Sequence, residues 1–163
     1  MERTDVVIGC VDTRAARNLI AMSVTGRQSS VDYWLDIGNN ANSGQIVLGE
    51  PWNWVNKRSA TRLRTVAELF PEIVDPSLDG DGEPSCSAME ALERQEPFVN
   101  QTLAYHALTL LARLFRYGEV AHHGTFINLA TGRAAPLPAE PDCWKRIRRR
   151  GQRNTRTGAR DSR

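Results

Sequence analysis

What the sequence lacks narrows its class before any motif is read. It holds three cysteines, Cys10, Cys86 and Cys143, far apart and without a Cys-x-x-Cys pair. That gives little support to a disulfide framework or a structural zinc site, and no zinc is expected. No apolar run approaches the roughly 18–20 residues of a membrane helix, so no membrane is expected as a partner. The first residues, MERTDVVIGCVD, carry an acid at position 2 and no apolar core before a cleavage site, which points to a cytoplasmic protein without a secretory leader. Aromatic residues are 7% of the chain, and no internal repeat is visible.

What is present is one domain's worth of chain: 163 residues, 40% hydrophobic and 25% charged. The net charge of +2 hides a division. Residues 145–163 carry nine Lys+Arg and one Asp, a net of +8, which leaves twelve basic and eighteen acidic residues in 1–144, a net of −6. An acidic body with a basic tail is two physical objects on one chain. The tail, 143–163, reads as disordered and solvated; nonspecific nucleic-acid contact through 145–163 is the functional alternative.

Val6-Val7-Ile8-Gly9-Cys10-Val11 is a continuous apolar run, the pattern of a strand buried on both faces of a parallel sheet. Cys10 then sits mid-strand as a packing residue. The stretch Thr13–Met22 is rich in helix formers, with Asp12 or Thr13 as its N-cap. Strands follow at Val31–Ile37 and Gln45–Gly49, joined through Gly38-Asn39-Asn40 and Ser43-Gly44 as an antiparallel pair. Residues 50–85 form a long polar segment with one short helix around Arg64–Leu69.

The clearest helix runs from Phe98 to Tyr117, where Val99, Leu103, Ala107, Leu110, Leu111 and Leu114 make a buried stripe. Strands are expected at Glu119–Ala121 and Thr125–Asn128, and Ala134–Pro141 reads as a linker. The fold class is α/β: a mixed sheet whose parallel strands continue into antiparallel ones, with the long helix packed against it.

Asp12 is the most informative position. In open α/β sheets ligands bind beyond the carboxyl ends of the parallel strands, and a carboxylate there can hold Mg²⁺ bridging nucleotide phosphates. Its structural alternative is a helix cap. Arg14 and Arg17, within one turn, could meet phosphate or carboxylate. Cys86 precedes a helical run, where a helix dipole would favour thiolate; as an isolated cysteine its alternative is an inert thiol.

His122 and His123 are adjacent, so on a strand they face opposite ways and cannot chelate one metal together. With His106 they read as satisfied or surface histidines. Asp79 and Asp81 lack the other ligands of a calcium loop. Trp52 and Trp54 read as packing residues, with docking of a peptide tail as the alternative.

In order, Cys10-Val11-Asp12-Thr13-Arg14-Ala15-Ala16-Arg17, Gly44-Gln45-Ile46-Val47, Pro84-Ser85-Cys86 and the long helix through Ala104 and Ala107 resemble the ThiF/MoeB adenylating family. Tyr33–Asn40 and Leu63–Pro71 are similar to the ThiF-type member of the bacterial PRTRC system, often plasmid-associated. The resemblance covers residues 4–142. It implies a Rossmann-type fold and ATP-dependent adenylation of the C-terminal carboxylate of a ubiquitin-like β-grasp protein. It also implies Asp12 toward Mg²⁺·ATP, with Arg14 and Arg17 beside it, 50–85 as a crossover loop over the partner's tail, and Cys86 as acceptor of an acyl group or sulfur.

The sequence also departs from that pattern. Nothing like a GxGGxG phosphate loop occurs, nor the Arg, Asn and Lys that follow it in the family. Residues 1–142 therefore read as a partial adenylation domain, the C-terminal half to two-thirds of a family member, inactive alone. The alternatives are a non-catalytic interaction module of the same fold, with a homodimer partner left open, and a methyltransferase-like fragment in which the strand-end acid holds a ribose.

Overall fold

The computed structural model describes residues 5–79 and 95–147. The elements run β1 (Val6–Gly9), α1 (Arg14–Val24), β2 (Tyr33–Asn39), β3 (Ser43–Gly49), α2 (Val66–Leu69), α3 (Val99–Tyr117), β4 (His122–Asn128) and β5 (Arg133–Pro138). Two single 3₁₀ turns, Pro71–Val74 and Pro76–Leu78, follow α2. The strands form one sheet in chain order, β1-β2-β3-β4-β5. Only β1 and β2 are parallel; the other pairs are antiparallel. The α/β class and the mixed sheet are as expected. No helix among the described residues is long and apolar enough to cross a membrane.

Alternation along the strands splits the core into two layers, because successive side chains leave a strand on opposite faces. Leu35, Ile46 and Leu48 meet α3, whose predicted stripe of Val99, Leu103, Ala107, Leu110, Leu111 and Leu114 is buried throughout. Trp34 and Val47 point the other way, with Val24, Val66, Leu69, Leu137 and Trp144. Glycine is required at Gly49, where a Cβ would stand 2.4 Å from Thr65 Cα and force the α2 cap off the sheet. That cap is a reciprocal box: Thr65 Oγ1 accepts from the Glu68 N–H while the Glu68 carboxylate accepts from the Thr65 N–H.

Several expectations are corrected. The run from Val6 is not covered on both faces: β1 is an outer strand of the described sheet, Ile8 is 53% exposed, and the strand stops at Gly9, which leaves Cys10 exposed rather than packed. Ala134–Pro141 is not a linker, since β5 pairs with β4 from Arg133 onward. Prolines fit there because β5 is the other outer strand, where a missing N–H costs no ladder bond. Of the two strands expected before β5, Thr125–Asn128 lies within β4, whereas Glu119–Ala121 is not a strand and precedes β4.

The tail begins later than expected. Residues 141–147 are helical, and Trp144 is buried, 5% exposed. Trp144 donates its indole N–H to His123 Nε2 at 2.9 Å. His123 Nδ1 in turn lies 2.7 Å from the Leu48 carbonyl, so that nitrogen carries the proton. His123 is thus a satisfied core histidine, held below the ordinary imidazole range chiefly by burial. The basic residues 148–163 lie outside the described residues.

Candidate functional site

A cleft of about 480 Å³ opens where β1 and β2 end, between Asp12, Arg14, Arg17, Gly38, Asn39 and Gln45. This is the carboxyl end of the parallel pair, the location open α/β sheets use for ligands. α1 starts at its rim. Thr13 is the N-cap, its Oγ1 accepting from the Ala16 N–H at 3.1 Å, so Asp12 does not serve as the cap. Asp12 is exposed, and its carboxylate has no hydrogen bond or ion pair among the described residues.

Arg17 forms the floor. Its Nε donates to Asp36 Oδ1 at 2.8 Å and its Nη2 to the Val11 carbonyl at 2.8 Å. Gly38 makes this possible, because a Cβ there would lie 3.1 Å from Arg17 Nη2 and 2.5 Å from Gln45 Nε2. Asp36 is fully buried, and its Oδ2 has no hydrogen-bond partner. Burial lifts its pKa above the usual carboxylate range against the opposing pull of Arg17. Beside it Trp34 Nε1 is also buried without a partner. Burial raises the thiol pKa of Cys10, and the Asp36 charge adds to that rise.

Arg14 is held differently from the expectation. Its Nε donates to the Glu72 carbonyl at 3.2 Å and its Nη1 to the Leu78 carbonyl at 2.8 Å, and Nη1 pairs with Asp79 at 3.4 Å. The Asp79 carboxylate also accepts from the backbone N–H groups of Arg14 and Ala15, both at 2.9 Å. The start of α1, the natural place for a phosphate, therefore holds an internal carboxylate. These bonds keep Asp79 below its ordinary pKa.

The structure thus places Asp12, Arg14 and Arg17 around one cleft. Only Asp12 is uncommitted. Cys86 and Asp81 lie outside the described residues, and among the described residues no three His, Cys, Asp or Glu side chains gather as a metal site. A lone exposed carboxylate suits a Mg²⁺ bound mostly through phosphates, which needs only one or two protein oxygens. Sequence reasoning missed the role of Asp36, and it weighed Asp79 only as a calcium ligand, not as the partner of the α1 start. The first had a readable signal, an acid inside the apolar strand Tyr33–Ile37 and two residues from Trp34 on the same face.

The segment after β3 is stitched down by side-chain amides. Asn53 Nδ2 donates to the Val31 carbonyl at 2.7 Å, and Asn56 Nδ2 donates to the Asp32 and Pro51 carbonyls at 2.9 and 3.1 Å. These amides fill the inward positions, so Trp52 and Trp54 point outward, 52% and 56% exposed, contrary to the packing role expected. Against known proteins, the chain matches no family model and no curated sequence.

Proposed function

We propose that this chain carries part of a ThiF-type adenylation site on a Rossmann-like sheet, with Asp12 toward Mg²⁺·ATP. The observation that supports this most is the free Asp12 carboxylate at the mouth of a polar cleft beyond the carboxyl ends of the parallel strands. In the reaction, a carboxylate oxygen of the ubiquitin-like partner's C-terminal glycine bonds to the α-phosphorus while the bond to the β-phosphate breaks and pyrophosphate leaves. Arg17, fixed by Asp36 and Val11, would present its remaining N–H groups to an anion in the cleft. A glycine-rich cradle for the phosphates is absent from the sequence, so the chain by itself turns over little or not at all.

The test is calorimetry of Mg²⁺·ATP with the wild-type chain and Asp12→Ala, alongside pyrophosphate exchange with a β-grasp partner. Binding that disappears in the variant supports the reading. Absence of binding by the folded wild type refutes it. A second reading, a non-catalytic interaction module of the same fold, is favoured by one observation: Asp79 already occupies the α1 amides and the Arg14 guanidinium.

A further inference from the structure

A second concavity, of about 310 Å³, shares no lining residue with the Asp12 cleft. Its wall combines Trp52, Lys57, Arg62, Arg64, Trp144 and Lys145. Four cations line it and no carboxylate does. Two are partly neutralised from behind: Glu68 takes Arg62 through bonds of 2.6 and 2.9 Å and Arg64 at 2.8 Å. Those contacts hold the Glu68 pKa down at about 2, against the opposing effect of burial, so it stays ionised. Asp142, itself largely exposed, takes Lys145 at 3.0 Å. Lys57 has no ion-pair partner among the described residues. The concavity therefore keeps an excess of positive charge beside a half-exposed indole.

We propose that this concavity binds single-stranded nucleic acid, with a base stacked on Trp52 and the flanking phosphates on Lys57, Arg64 and Lys145. An aromatic platform beside backbone-tracking cations is the combination that binds single strands without reading sequence. The backbone carrying the indole is anchored on either side, through the Asn53 bond to the Val31 carbonyl and the Asn56 bond to the Pro51 carbonyl. Less backbone ordering entropy is then lost when a base stacks. Lys145, with which the Lys/Arg-rich run of residues 145–163 begins in the sequence, is itself one of the cations lining the concavity. An acidic peptide would use the cations and leave the exposed indole face without a planar partner.

The test titrates the full chain with a fluorescein-labelled oligothymidylate of about twelve nucleotides, between about 50 and about 200 mM salt. Trp52→Ala should weaken binding roughly tenfold and leave the salt slope unchanged, as expected for loss of one base stack. Lys57→Gln should lower the slope by about 0.7, one single-strand phosphate. Both side chains are exposed, so thermal melts should match wild type. Trp54→Ala, outside the concavity, should bind within about twofold of wild type.

Wild-type affinity in both Trp52→Ala and Lys57→Gln would overturn the proposal and assign binding to the terminal basic run alone. Thymidine monophosphate binding as tightly as the oligomer would overturn it in favour of a nucleotide site. Polyglutamate competing with the same dependence on Trp52 would overturn it in favour of an acidic protein.

Discussion

Arg17 and Asp36 form a buried ion pair, Nε to Oδ1 at 2.8 Å, with 6% and 0% of their side chains exposed. Desolvating both charges costs more than an exposed pair returns, and Asp36 Oδ2 is left unbonded. The pair's value is positional. It fixes the guanidinium at the base of the Asp12 cleft by joining the α1 helix to β2.

Removing one partner should therefore be far worse than removing both. Arg17→Met leaves a buried carboxylate uncompensated and should cost about 3–5 kcal/mol at neutral pH in urea denaturation. Arg17→Met with Asp36→Leu should recover most of that loss. The pH dependence follows from the direction of the Asp36 shift, above its ordinary 3.8. A raised carboxyl gives stability that is present below the unfolded value and lost as pH rises through the folded one. Without Arg17 the folded value rises further, so the single variant's deficit should shrink on acidification.

A second prediction concerns the joint between the terminal helical residues and the sheet. His123 is buried with its pKa lowered from 6.5, chiefly by desolvation. Its contribution is complete above about 6.5 and is lost as pH falls toward the folded value. Urea midpoints should drop between pH 7.5 and 5.5 by more in wild type than in His123→Leu. Trp144→Phe removes the donor to Nε2 while keeping an aromatic ring, and should cost about 1–3 kcal/mol at pH 7.5. Equal pH dependence in wild type and His123→Leu would show that His123 does not set it.

Legibility of this fold depends on whether a signal is local. The α3 stripe could be read because helix periodicity alone dictates which residues face inward. The β2–β3 hairpin could be read because Asn-rich and Gly-containing turn chemistry separates two β-branched runs. β1 could not: Val6–Ile8 has the composition of a central strand, and only the strand order shows it at an edge of the described sheet. β5 was hidden for the reverse reason. Ala134, Ala135 and Pro136 have poor strand propensity, but an outer position tolerates them. At the cleft, the proximity of Asp12, Arg14 and Arg17 was legible from their spacing on one helix start. Their partners were not, because Asp36 and Asp79 lie 19 and 65 residues away.

Asp79 supplies the third prediction and separates the two functional readings. Its carboxylate sits on the Arg14 and Ala15 amides and against the Arg14 guanidinium, where a bound phosphate would find its donors. If the cleft takes a nucleotide phosphate, that anion and Asp79 compete for the same N–H groups. Asp79→Ala should then raise the affinity for Mg²⁺·ATP, or for tripolyphosphate, by roughly threefold or more at low salt. The same variant should loosen the turn Pro76–Leu78, whose Leu78 carbonyl meets Arg14, so amide exchange there should quicken. An interaction module predicts the second effect without the first. Faster exchange with unchanged phosphate affinity would make Asp79 a helix cap that closes the start of α1, and the search for a ligand would pass to protein partners.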